Sequence, residues 1–335
     1  MNLALTANAP AAPRIRGAAG AITHRRPERD AAGAITRRRL EIALGAIWVL
    51  DGALQFQPYM FSKAFFANML GMANMGLPGP VSSGIYQVTR LLTMHPVIWN
   101  AVFASLQVVI GIGLMCGRSA ALTRCVSIVW ALGVWVVGEG VGALFMPGTS
   151  ALNGAPGAAL LYAVVAVVLW PRHRDDGTAP ASAGLLGATG ALWCWAVLWA
   201  GLSLLELGAA NHAAVVPAAE VANIGSGEPG WLAVINQDAG HLLAGRGAAF
   251  ALAAGLVQLA VGLGAMRPRW RRVALGTGIA LAIIYGVLGQ DLGGLLTGRA
   301  TDPGTAPLLV LFALALWPRR HLTSSNHTLT GRPST

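Results

Sequence analysis

Long apolar runs, broken by short arginine-bearing turns and by two long loops, set the pattern of this chain. A helix crosses a hydrocarbon core about 30 Å thick with roughly 17 to 25 mostly apolar residues. Runs of that kind at 40–57, 97–116, 121–146 and 155–171, then at 187–207, 248–266, 273–296 and 305–318, predict eight transmembrane helices, the last one short. Arg37, Arg38 and Arg39 precede the first run, Arg118 and Arg124 border the turn between the second and third, and Arg172 and Arg174 follow the fourth. Arg267, Arg269, Arg271 and Arg272 fill the turn after the sixth, and Arg319 and Arg320 follow the eighth. With eight crossings every block falls on one side, and short basic loops face the cytoplasm. Both termini are therefore expected there, and the loops 58–96 and 208–247 on the opposite, outer side.

The two halves align at one constant shift. Gln107-Val108-Val109-Ile110-Gly111-Ile112-Gly113-Leu114-Met115 meets Gln258-Leu259-Ala260-Val261-Gly262-Leu263-Gly264-Ala265-Met266. In the same register Val136 to Gly142 meets Val287 to Gly293, Gly76-Leu77-Pro78-Gly79 meets Gly227-Glu228-Pro229-Gly230, and Ala155-Pro156 meets Ala306-Pro307. Trp48 meets Trp199 and Gln55 meets Glu206; after a short deletion Trp170-Pro171-Arg172 meets Trp317-Pro318-Arg319. Shared Leu and Ala mean little between apolar helices, but one register that pairs Gln, Pro, Gly and Trp points to an internal duplication. An even number of crossings per copy gives both copies the same orientation, so the expected architecture is an all-α integral membrane protein of two parallel four-helix repeats. Gly138 and Gly142, like Gly289 and Gly293, are spaced i, i+4, which on a helix makes a small face for close packing. The two Trp-Pro-Arg sites mark the cytoplasmic interface.

Composition strengthens this picture. The chain has 335 residues, of which 55% are hydrophobic and only 11% charged, against about 25% charged in soluble domains; so few charges cannot coat a water-facing surface. The net charge of +10 is carried by the inter-span blocks, so it is topogenic, and the bilayer rather than nucleic acid is the expected partner. Cys116, Cys125 and Cys194 form no CxxC and read as buried apolar thiols. Residues 1–39 have no apolar run and read as a disordered cytoplasmic tail. Thr36-Arg37-Arg38-Arg39-Leu40 has a faint twin-arginine look, but Asp51 and the spans that follow favour a retained first helix over a cleaved signal.

In the outer loops, Phe61, Phe65, Phe66, Met69 and Leu70 space like the apolar face of a helix lying on the bilayer surface. Val81 to Leu92, matched by Leu232 to Leu243, predicts a second short helix, with the Gly-x-Pro-Gly turn between the two.

The chemistry sits in polar residues within the spans. A carboxyl group at bilayer depth is costly and normally faces the bundle interior. Asp51 lies about eleven residues into the first span with Gln55 one turn later, Gln107 near the middle of the second and Glu139 in the outer half of the third. These four are expected to converge on one cavity, and Glu206, Gln258, Gln290 and Asp291 stand at related depths in the second copy. Three readings remain open: structural interhelical hydrogen bonds, a proton- or ion-handling site, and a pocket for a lipid-soluble ligand such as a quinone. In the second outer loop Asp238 and His241 are one turn apart with His212 nearby. The aligned first-copy residues Gln87, Arg90 and Phe61 cannot ligate as a set, so pairing of Asp238 with Arg246, or of His241 with a carboxylate, is preferred to a metal site. No phosphate loop, dinucleotide fingerprint, HExxH motif or Ser-His-Asp order is present.

The unit Gln107-x-x-x-Gly111-x-x-Leu114-x-x-Gly117-Arg118, continued through Ala120-Ala121 and Arg124 and preceded by the long loop after the first span, resembles the DoxX-like family of four-span membrane proteins. Gln107 stands where many members carry an acidic residue. The resemblance extends over both halves, from about residue 40 to 318, and implies association with membrane redox systems, including quinone-linked ones. The expected organisation is a tail at 1–39, a first repeat at 40–172, a linker at 173–186, a second repeat at 187–320 and a tail at 321–335. The expected function is an accessory or quinone-interacting subunit of a cell-membrane (inner-membrane) redox system, in contact with partner subunits and without catalysis of its own. The alternatives are a small-solute or proton-coupled transporter and a membrane scaffold.

Overall fold

In a computed structural model, residues 35–117, 120–173, 176–213, 215–224 and 228–319 are described, and those from Ile35 onward belong to one compact unit. Residues 1–34 of the expected tail, Arg118, Arg174, Gly227, Arg320 and the tail 321–335 lie outside the described residues.

Among the described residues the structure is helical and contains no named β-strand. The first half runs α1 (Arg37–Leu54), α2 (Lys63–Ala73), α3 (Gly79–Met94), α4 (Pro96–Cys116), α5 (Ala120–Val137) and α6 (Ala158–Val168). The second runs α7 (Gly187–Glu206), α8 (Val216–Ile224), α9 (Gly230–Leu243), α10 (Gly247–Met266), α11 (Arg271–Leu288) and α12 (Ala306–Leu316). Short 3-10 turns recur at matching places: Pro58–Phe61 and Ala209–His212 after the first long helix, Val141–Ala143 and Asp291–Gly294 before the last. Packing recurs too: α1 lies on α4 as α7 lies on α10, α5 on α6 as α11 on α12, and α2 on α3 as α8 on α9. The element order of the second half thus restates that of the first.

Helices α4, α7, α10 and α11 are long and apolar enough to cross a bilayer. Their exteriors are apolar, with Val109 65%, Val197 67%, Leu204 73% and Val273 61% exposed, while Gln107, Glu206 and Gln258 are buried. An apolar outside around a polar inside suits lipid as the solvent, and the protein is membrane-embedded. Helix α1 has 18 residues but carries Arg37, Arg38, Arg39, Glu41 and Asp51. Thr36 caps its start by accepting a hydrogen bond from the Arg39 amide at 3.2 Å. Helices α6 and α12 have only 11 residues each and are buried on nearly every side, packed against each other and against α1. They span about 16 Å.

Two small-residue seams let the long helices approach. A Cβ on Gly45 would meet the Gly111 carbonyl at 2.7 Å, and one on Gly52 would meet the Ala104 carbonyl at 2.9 Å. Gly262 takes the corresponding place in the second half, against the Ala196 carbonyl.

The arginine-bearing segments gather at one end. Arg38 donates to the carbonyls of Leu114 (2.7 Å) and Met115, and Arg37 to that of Leu169 (3.1 Å). Arg319 donates through its amide to Thr178 O (2.9 Å) and through its side chain to Ile35 O (3.4 Å). Sequence reasoning missed the centre of this end, Glu41. It is buried and bonds Arg124 (Nε, 2.7 Å; Nη2), Arg37 (3.3 Å) and Arg38 (3.1 Å). At the other end the loops of the two halves interlock: Gln57 donates to Ala300 O (3.3 Å), Asn211 to Thr149 O (3.2 Å) and Asn153 to Glu220 (3.3 Å).

Several expectations are corrected. Helices α5 and α11, which answer to the third expected span of each half, end early, at Val137 and Leu288, so Gly142 and Gly293 are not on a helix face. Gly140, Gly142 and Gly293 have φ of +54°, +64° and +72° and lie hard against the carbonyls of Ala73, Pro156 and Asp302. They are glycine because the backbone turns left-handed in contact with another segment. Cys116 and Cys125 are exposed rather than buried, since a thiol on the lipid side of an apolar helix is as well solvated as one inside. Asp238 makes no ion pair among the described residues, because Arg246 turns back onto the Leu242 carbonyl at 2.5 Å.

Candidate functional site

Helix α1 turns Trp48, Asp51 and Gln55 to one buried face, as spacings of three and four require. Helix α4 presents Asn100, Ala104, Gln107 and Gly111 on its buried face, and Asn100 Nδ2 fixes the end of α1 by donating to Gln55 O at 2.7 Å. At the end of α5 the amides of Gly138 and Glu139 both reach the Val134 carbonyl (2.7 and 2.9 Å), and the chain leaves the helix at Gly140. Glu139 therefore swings toward the start of α6, where Oε1 accepts from the Ala159 amide at 2.9 Å. A carboxylate there satisfies a free amide of the helix N-terminus. The room for it exists because Gly157 (φ +97°) has no Cβ; one would fall on Glu139 Oε2.

These elements enclose a cavity of about 360 Å³, within the usual range for small-molecule sites. Asp51, Gln55, Gln107 and Glu139 all line it. The structure adds residues that sequence reasoning did not single out. Tyr162 of α6 donates from its hydroxyl to Asp51 Oδ2, and its ring lies 4.2 Å from that of Trp48, centroid to centroid. Phe65, Phe66, Met69 and Leu70 of α2 with Val88 and Leu92 of α3 cover the cavity. The apolar face expected to lie on a bilayer surface is turned inward, and Phe65, Phe66 and Leu70 are buried. Phe103 and Trp130 continue the wall, 5.0 Å apart. Thr301 and Asp302 reach in from the loop before α12, in the other half.

Four polar atoms at this cavity are buried without a hydrogen-bond partner: Asp51 Oδ1, Gln107 Oε1, Glu139 Oε2 and Trp130 Nε1. Buried polar groups are nearly always paired, so four orphans in one cavity mark a place for a ligand's polar atoms or for water. Among the described residues no Arg, Lys or His lines the cavity.

The second-half residues do not form a matching site. Gln258 donates through Nε2 to Glu206 Oε2 and toward the Tyr285 hydroxyl, both at 3.0 Å, in a buried knot that leaves only Gln258 Oε1 without a partner. Gln290 fastens the start of α12: its Oε1 accepts from the Thr305 amide and hydroxyl at 2.9 Å each. Asp291 lies apart, buried, with φ +52°, and accepts from Asn236 at 3.5 Å. Beside it in the loop, burial and the neighbouring Asp291 push Glu228 up to about 7. His212, Asp238 and His241 are exposed, and no metal-holding group of His, Cys, Asp and Glu occurs among the described residues.

A signal for Tyr162 existed, as the one polar group in the run Ala158–Val168. Nothing local in the sequence marks Asp302, which arrives through tertiary packing. Comparison with protein-family models, curated proteins and solved structures finds no match to this chain.

Proposed function

We propose that the protein is a DoxX-like, eight-span membrane protein of two parallel four-helix units, with both termini cytoplasmic, that acts by holding a small ligand in the cavity of its first unit. The repeated order of elements and the gathering of arginine-bearing segments at one end support the topology. Labelling of single cysteines at 172 and 319 from one compartment, and at 94 and 243 from the other, tests it.

One observation carries the ligand reading: the second unit is an internal control for the first. Gln290, the counterpart of Glu139, secures α12 as Glu139 secures α6, and does so without a charge. Gln258, the counterpart of Gln107, leaves its Oε1 unpaired as Gln107 does but donates twice through its amide nitrogen, whereas Gln107 donates to no described residue. Leu202, the counterpart of Asp51, is apolar and buried. The second unit thus builds the same arrangement without the carboxyl groups of Asp51 and Glu139, and a ligand supplies the reason for them.

Binding or transport of a small solute, coupled or not to protons, fits this cavity best, because its orphan atoms are mostly hydrogen-bond acceptors. The second reading is an accessory, quinone-interacting subunit of a membrane redox system. It is favoured by the aromatic walls, and a reduced ring with two hydroxyl donors suits the two carboxyl groups. Counterflow of solutes in proteoliposomes, and mass spectrometry of lipophilic molecules that purify with the protein, separate the two. Asp51→Asn and Glu139→Gln abolish either activity. Unchanged binding and transport in both variants, with the fold intact, leaves only a scaffold role.

A further inference from the structure

We propose that the ligand of this cavity is an organic cation, a compact apolar or aromatic body bearing one ammonium-type charge. This class rests on the reading of the cavity as a ligand site.

The first argument is charge. Asp51, Glu139 and Asp302 bring three carboxyl groups to one wall system, and no basic side chain among the described residues lines it. The ion pairs among the described residues all belong to Glu41 at the other end of α1, ten residues away, or about 15 Å. Asp51 is only 3% exposed, and an unpaired carboxylate at that burial carries a large desolvation cost. A positively charged ligand supplies the missing counter-charge.

The second argument is the walls. Trp48, Phe65, Phe66, Phe103, Trp130 and Tyr162 surround the space, and aromatic faces attract ammonium groups while tolerating apolar substituents. Aromatic box and carboxyl group together recognise an organic cation by its charge and its body at once. A hard divalent cation such as Ca²⁺ or Mg²⁺ needs a close shell of six or more oxygens, which this mostly aromatic space of about 360 Å³ does not offer.

Hydrogen bonding is the third. Of the four orphan atoms three accept and one donates. Against ionised carboxylates, an anion or an oxidised quinone brings acceptors only and leaves Asp51 Oδ1, Gln107 Oε1 and Glu139 Oε2 unsatisfied. Polarised N–H or N–CH groups of a cation meet them. Asp302 is held in place, since Thr301 Oγ1 (2.8 Å) and the Gly304 amide (2.9 Å) donate to its two oxygens. The second half thus supplies part of the first half's site.

The test uses the full-length protein in nanodiscs, with benzyltrimethylammonium as the cationic probe and decylubiquinone as the neutral one, binding being read by titration calorimetry. Expected is one saturable site for the cation, weakened at least tenfold in Asp51→Asn and in Glu139→Gln, and unchanged within twofold in Glu206→Gln. Asp302→Asn, in a loop outside the helices, weakens the cation severalfold and keeps the proposal testable should a buried variant fail to fold. Cation affinity that ignores both Asp51→Asn and Asp302→Asn overturns the proposal. Binding of decylubiquinone alone, lost in Glu139→Gln, overturns the cation class and leaves the ligand site standing. Folded protein that binds neither probe overturns both.

Discussion

The buried ion cluster at Glu41 lends itself to a double-mutant cycle for which the protein supplies its own reference. Arg124 and Glu41 are 7% and 3% exposed by side chain, and their counterparts in the second unit are Leu275 and Leu192, both buried. Removing one partner of a buried pair strands the other charge, at a cost of about 3–5 kcal/mol, whereas replacing both by apolar groups of similar volume is often neutral or stabilising. Glu41→Leu strands Arg124, while Arg37 and Arg38, 22% and 38% exposed, retain water as a substitute. The expected loss for the single variant is therefore about 3–5 kcal/mol, a fall in melting temperature on the order of 10 °C. The double variant Glu41→Leu/Arg124→Leu, which copies the second unit, regains wild-type stability to within about 1 kcal/mol. Thermal unfolding in detergent, followed by the fluorescence of the 11 tryptophans, reads both. A single variant that melts with the wild type, or a double variant no better than the single, refutes the reasoning.

Gly111→Ala puts a Cβ 2.5 Å from the Gly45 carbonyl and 2.8 Å from the Val49 amide, backbone atoms that cannot step aside; it should cost about 1–3 kcal/mol. Gly276→Ala, with nothing within 4 Å, should gain up to about 1 kcal/mol in the same melting assay. Glu228, raised from 4.5 to about 7 by burial and by Asp291, holds its proton more tightly folded than unfolded. Its stabilising contribution is therefore complete below about 4.5 and lost as pH rises through about 7. Hydrogen exchange at the start of α9, corrected for intrinsic rates, should be faster at pH 8 than at pH 5, and Glu228→Gln should erase the difference. Val134→Tyr imitates Tyr285 of the second unit; the ring should reach Gln107, fill the cavity and abolish binding with no loss in melting temperature, and undiminished binding would count against the cavity as the site.

Much of the helical framework was legible because hydropathy reports directly on which segments leave water. The spans expected at 97–116, 187–207 and 248–266 correspond to α4, α7 and α10 almost residue for residue. Loop helices were legible for a different reason, the Gly-x-Pro-Gly turn that stops one helix and starts the next at Gly79 and Gly230. What failed is where backbone geometry overrides apolar content. Glycines 138–142 sit in an apolar run and read as helix, yet the chain turns left-handed there to pass Ala73 and Pro156. Polar residues were legible as anomalies, and Asp51, Gln55, Gln107 and Glu139 do line one cavity. Their partners were not, since Tyr162 and Asp302 come from segments remote in sequence, and Glu41 hid among arginines read as signals to the membrane.

The same duplication that fixed the architecture explains why the chemistry is lopsided. Two copies of a unit must each be closed well enough to fold, and the second is closed by side chains. Tyr285 stands where the first copy has Val134, and Ile284 where it has Gly133. Tyr285 joins Gln258 and Glu206 in a knot with every helix of its corner engaged. In the first copy smaller residues at those two positions leave space, and the hydroxyl of Tyr162 comes instead from α6 and is spent on Asp51. Fusion lets the closed copy serve the open one. It buttresses α6 through α12, and its loop lends Thr301 and Asp302 to the cavity wall. The first half alone would lack both, so the cavity is finished by residues from outside the half that supplies most of its wall.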